Sequence, residues 1–129
     1  MTASPERVEE VRAALGTALS DFQSPTPVDL RLETGRSRGD DLVWVWGREG
    51  HGAGFWVEQA PQGTALLVAV ADFLQDQVFD QLADTWGEAR PPCPGHAHAP
   101  DPRELDAEVW WVCPRTGERI GRIGHLGRS

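Results

Sequence analysis

Between Gly87 and Pro102 the chain carries five prolines in 16 residues, a density that admits little regular structure. Any fold must therefore be assembled from a periodic part, residues 1–86, and a second part, residues 87–129, that begins with this stretch. At 129 residues the whole is expected to be one domain, long enough to bury most of its apolar surface. The same stretch holds Cys93, His96 and His98, and Cys113 follows after one short segment. Both cysteines and two of the four histidines thus fall in the spacing C-x2-H-x-H-x14-C.

The first part reads as an α+β core. Residues 4–22 form an amphipathic helix with Ser4 as N-cap and Pro5 at the first helical position. Val8, Val11, Leu15, Ala18, Leu19 and Phe22 recur at helical spacing as its buried stripe, and Ser24-Pro25-Thr26-Pro27 ends it. Strands are then expected at 28–34, with Val28, Leu30 and Leu32 inward, and at 41–46 after a polar turn over 35–40. Two more are expected at 54–58 and 64–70, giving a four-strand antiparallel meander. The run from Thr64 to Val70 also suits the start of a helix. Ala71 to Trp86 switches to helical period, burying Leu74, Val78, Leu82 and Trp86. Asp72, Asp76, Asp80 and Asp84 repeat every fourth residue along the outer side of this central helix. A straight helix cannot wrap those carboxylates around calcium, so they are a solvated face or a docking edge for a basic partner. In the second part, Glu108–Val112 and Arg119–Ile123 are predicted to pair as a C-terminal β-hairpin.

The Cys/His spacing points to a metal. Cys93 and His96 flank Pro94-Gly95, a tight-turn pair that can aim both side chains at one point. If His96 to His98 is extended, both imidazoles face the same way, and Cys113 completes four ligands. Two thiolates balance the charge of one zinc ion, and four protein ligands close a structural site. His51 or His125 could take the place of His98. Unliganded side chains and a Cys93–Cys113 disulfide are the competing readings. The N-terminus lacks the basic and apolar regions of a signal peptide, so a cytoplasmic, reducing location is expected, and that disfavours the disulfide.

Composition narrows the partners. The formal net charge is −8, with twenty acids against twelve cationic side chains, all of them arginine. Such a field disfavours nucleic acids and anionic membranes. Residues 115–129 are locally basic, and a nucleic-acid regulator built on them ranks last. Trp44 and Trp46 share one face of a strand with Trp56 close by, either as core or as a protein-binding surface. The patterns of zinc deaminases and zincin proteases, the P-loop and the G-x-S-x-G elbow are absent.

Cys113-Pro114-Arg115-Thr116-Gly117 resembles half of a zinc-ribbon knuckle, with Thr116 standing where the second ligand of that knuckle belongs. Residues 90–124 also resemble small uncharacterised bacterial proteins with a Cys-Pro-x-His-x-His segment and a later Trp-x-Cys-Pro. No activity comes with that resemblance. The order of elements resembles secretion-chaperone-like domains and small acidic immunity proteins, an analogy of fold alone. The sequence therefore favours an acidic protein-binding module (an adaptor, chaperone-like or immunity-like) with one structural zinc. The alternative is a zinc-dependent hydrolase that leaves one metal position open and uses Asp101, Glu104 or Glu108 as base.

Overall fold

The computed structural model describes residues 3–23, 28–47, 50, 52–79 and 91–126. Helix α1 (Pro5–Leu19) starts as its sequence dictates: the Ser4 side chain accepts from the Arg7 amide, and Pro5 opens the first turn. A 3₁₀ turn, Ser20–Gln23, extends it. Val11, Leu15, Ala18 and Phe22 are wholly buried on one stripe, and Val8 and Leu19 pack beside them.

Strands β1 (Leu30–Ser37), β2 (Asp40–Gly47) and β3 (Gly52–Trp56) form an antiparallel sheet in the order β1-β2-β3. The polar turn expected over 35–40 narrows to Arg38-Gly39, whose φ angles of 55° and 85° make a two-residue loop matched to strand twist. β2 is central, as its apolar character on both faces requires. Val43 and Val45 face the helices with Leu30, Leu32, Ala53 and Phe55, while Leu42, Trp44 and Trp46 point to the opposite face.

The expected fourth strand is a helix. The run from Thr64 opens α2 (Thr64–Phe73), which passes into a π-helical turn, Leu74–Phe79. A seven-residue apolar run suits a buried strand or a buried helix equally well, and the spacing of its neighbours decides. Leu66, Val70, Ala71, Phe73 and Leu74 are all buried, a spacing that continues without a break into the next segment. The central helix therefore begins at Thr64, and the meander has three strands.

The C-terminal part is also a three-stranded sheet, not a hairpin: β4 (Asp101–Leu105), β5 (Glu108–Val112) and β6 (Arg119–Arg122), in that order. Pro102 sits opposite Trp111 on the edge strand, the place where a missing N–H is tolerated. The connecting turn, Asp106-Ala107, has φ of 55° and 65°, so an alanine occupies a left-handed position. β4 and β5 pack on α2, and the Thr64 hydroxyl donates to Glu104 at 2.6 Å.

One core cluster draws on both sheets and both helices, Val109, Trp111 and Ile123 joining it from the C-terminal part. A buried carboxylate joins the C-terminal part to the end of the first helix. Asp21, 2% exposed, accepts from the Trp111 indole at 2.7 Å, the Gly124 amide at 2.6 Å and the Leu126 amide at 3.0 Å. Phe22 stacks on Phe79 and meets the Trp111 ring edge-on, at centroid distances of 4.6 and 5.7 Å. Among the described residues, no helix is long and apolar enough to cross a membrane.

Asp21→Ala leaves three donors without their charged acceptor and should cost about 3 kcal/mol or more in urea unfolding. Ala107→Gly relieves the left-handed strain and should raise stability by about 1 kcal/mol in the same assay.

Candidate metal centre

Two turns bring the Cys/His side chains together. In the first, the His96 amide donates to the Cys93 carbonyl at 3.0 Å and Gly95 takes a φ of 76°, so Cys93-Pro94-Gly95-His96 folds back on itself. In the second, the Gly117 amide donates to the Cys113 carbonyl at 2.8 Å, with Gly117 also at a φ of 76°. The Cys113 amide donates to Glu118 at 2.9 Å and fixes this turn at the end of β5.

The outcome is a compact group. One ligand atom from each of Cys93, His96, His98 and Cys113 lies within 4.8 Å of every other. His96 Nδ1 stands 3.5 Å from Cys93 Sγ and 3.3 Å from Cys113 Sγ, and His98 Nε2 stands 3.5 Å from Cys113 Sγ. The segment through His96 and His98 bends and is not extended. The imidazoles converge by using different nitrogens, with ring centroids 4.8 Å apart. Both cysteines are buried free thiols and both histidines are half-buried. This Cys2His2 group can hold a metal ion. His125 is exposed and outside the group, and His51 lies outside the described residues.

The two thiols are unequal. The Thr116 hydroxyl, hydrogen-bonded to Cys113, lowers that thiol to about 5; burial opposes it, while His98 and the Thr116 and Arg115 amides add to the lowering. Thr116 Oγ1 itself accepts from the Glu118 amide at 3.2 Å. Where a second ligand of the knuckle would stand, the chain thus places a hydroxyl that stabilises the first thiolate. Burial pushes Cys93 up, and so do its hydrogen bond to Cys113 and the charges of Cys113 and Glu118. The two shifts are opposite: the surroundings favour the thiolate at Cys113 and the thiol at Cys93.

The carboxylates considered as bases are engaged elsewhere. Asp101 pairs with Arg103 at 3.5 Å, Glu104 accepts from Thr64, and Glu108 pairs with Arg122 at 2.6 Å. The loop carrying Cys93, His96 and His98 is tied to the helices by the Gln75 amide side chain, which donates to the buried Pro100 carbonyl at 2.8 Å.

The other residues singled out from sequence lie apart from this group. Trp44 and Trp46 are half-buried and stacked, centroids 4.9 Å apart, on the sheet face turned away from the helices. They lie across the glycines of β3, where a Cβ at Gly52 would strike the Trp46 ring and one at Gly54 would strike Leu42. Trp56, on the same face, is 38% exposed. Asp72 and Asp76 are exposed, and Asp80 and Asp84 lie outside the described residues. Comparison with protein-family models, curated proteins and solved structures finds no match.

Because a hydrogen bond lowers Cys113, the metal-free chain gains stability as pH rises from about 5 toward the ordinary thiol value of 9.0 and loses it as pH falls through about 5. Thr116→Val removes the largest cause. The midpoint of thiol alkylation against pH in the chelated protein should then move up by about one unit or more.

Proposed function

We propose that the chain is a non-catalytic, acidic protein-binding module whose C-terminal sheet is held by one structural zinc ion. The observation that carries the zinc is the mutual spacing of the four ligand atoms. A tetrahedral ion with bonds of about 2.3 Å to sulfur and about 2.05 Å to nitrogen separates neighbouring S and N ligands by about 3.6 Å. The Cys–His separations of 3.3–3.5 Å lie close to that value. Thiolate with imidazole suits zinc over harder cations, and two thiolates leave the site neutral. The lowered Cys113 and its hydroxyl and amide donors supply the outer support that orients and charges a metal ligand.

The binding-module part rests on other faces. The stacked Trp44 and Trp46, the exposed Trp56 and the carboxylates of Asp72 and Asp76 give aromatic and acidic surface suited to a basic protein partner. A hydrolase would need one metal position open and a carboxylate beside it. Four ligands fill a tetrahedron, and Asp101, Glu104 and Glu108 each hold another partner.

Native mass spectrometry of the untagged chain, with and without a strong chelator, should show one zinc ion that the chelator removes. Metal-free mass in both samples with free thiols would sink the zinc. Cys113→Ser should abolish zinc retention and lower the melting temperature, since binding and folding are linked. Zinc-dependent hydrolysis of model esters or phosphoesters that Cys113→Ser abolishes would favour the hydrolase.

A further inference from the structure

A cavity of about 550 Å³ lies between β3 and the central helix, far in sequence from the Cys/His group. Its lining shows what kind of space it is. Gly54, Phe55 and Trp56 are consecutive in β3, and consecutive strand residues point to opposite faces. A cavity that touches all three runs along the edge of the strand and not over a face. β2 occupies one edge of β3, so the cavity follows the other, and no strand pairs with that edge among the described residues. Across the groove stand Asp72, Phe73 and Asp76, one stripe of the helix where it passes from α to π geometry. π turns of this kind recur at functional sites.

Ala60 and Pro61 also line the groove, and the Arg7 guanidinium donates to both of their carbonyls, at 2.7 and 2.6 Å. The chemistry of the groove is specific in sign. Phe55 offers aromatic surface on the helix side, fixed edge-on against Phe73 at 5.3 Å, while Trp56 borders the groove from the opposite face of the sheet. Asp72 and Asp76 offer two carboxylates one turn apart, and among the described residues no arginine pairs with either. Burial, then the charges of Asp76 and Asp101, push Asp72 up from 3.8, so the carboxylates repel one another where they stand. A cation would relieve that repulsion and meet the aromatic wall favourably.

We infer that this groove binds an extended segment of a partner protein, which adds as a strand to the free edge of β3 and places an arginine or lysine beside Phe55 and against the Asp72–Asp76 pair. The inference rests on the binding-module reading and gives it a location and a ligand chemistry. An open strand edge supplies main-chain donors and acceptors for affinity, and the acidic, aromatic pocket beside it supplies side-chain selection. Affinity should rise with pH through the acid range in which Asp72, facing Asp76 on its own helix and Asp101 on β4, becomes ionised.

The test is a selection of displayed random heptapeptides on the full chain purified without chelator, run in parallel on Asp72→Asn/Asp76→Asn. The double variant keeps side-chain size, and unchanged metal content and melting temperature show that it folds. Wild type should enrich peptides with arginine or lysine at one position. The corresponding synthetic peptide should lose at least tenfold in affinity when that residue becomes alanine, when the double variant replaces wild type, or when alternate backbone amides are N-methylated. N-acetylarginine amide should compete only at far higher concentration than the peptide. Equal competition by that small cation, or indifference to N-methylation, overturns the strand addition. Peptides without a cation, or bound equally by the double variant, overturn the groove. If those peptides instead lose binding to Trp44→Ser/Trp46→Ser, the module reading stands on the outer sheet face while the groove falls. Selection of no peptide on either bait overturns both.

Discussion

The buried carboxylate of Asp21 is the constraint on which the two halves of this molecule depend. A charged group without water must find donors close at hand, and Asp21 has three, all from the C-terminal part: Trp111, Gly124 and Leu126. The residue stands at the end of α1, so the helix's buried stripe fixes where the charge sits. The charge in turn fixes Trp111, which is wholly buried against Phe22. An apolar contact alone would tolerate sliding of one sheet against the helices. Three hydrogen bonds to one carboxylate allow little of it.

The Cys/His group inherits that placement. Cys113 lies two residues beyond Trp111 and turns out of the sheet only after Val112, so anchoring Trp111 positions the second knuckle. The first knuckle is positioned from the other side, by Gln75 on the π-helical turn gripping the Pro100 carbonyl. Two independent anchors thus converge on four side chains. The ion's own binding free energy would then lock a loop whose prolines forbid it a ladder of backbone hydrogen bonds.

Much of this was open to sequence reasoning, and the failures have physical causes. Helix α1 was readable because cap, first-turn proline and apolar stripe agree. The four clustered ligands were readable because metal chemistry depends on residue type and short spacing, which a sequence displays directly. β4 was not: it carries a proline at its second position, and its turn to β5 puts alanine where glycine or asparagine would mark the conformation. The start of α2 was ambiguous because a helix buried on most sides loses the periodic contrast that distinguishes it from a strand. Asp21 gave no signal at all. On the sequence it is one polar residue at the end of a helix, and only the arrival of residues 90 to 105 positions away turns it into a buried junction between the two halves. The groove beside β3 was likewise hidden, although Trp56, Asp72 and Asp76 had each been singled out, because their meeting depends on which edge of the sheet is left free.

The Cys/His loop and the groove are neighbours through the central helix. The loop of Cys93, His96 and His98 leads directly into β4, whose first residue, Asp101, is close enough to Asp72 to push up its carboxyl. Gln75, which holds the loop at Pro100, lies between Asp72 and Asp76 on the helix that walls the groove. An ion that fixes the loop would therefore also fix Asp101 and hold the helix stripe facing β3. A structural metal there would do more than close its own knuckles. It would rigidify one wall of the surface proposed to receive a partner, and rigid placement of like charges is what makes a groove selective for a cation rather than merely acidic.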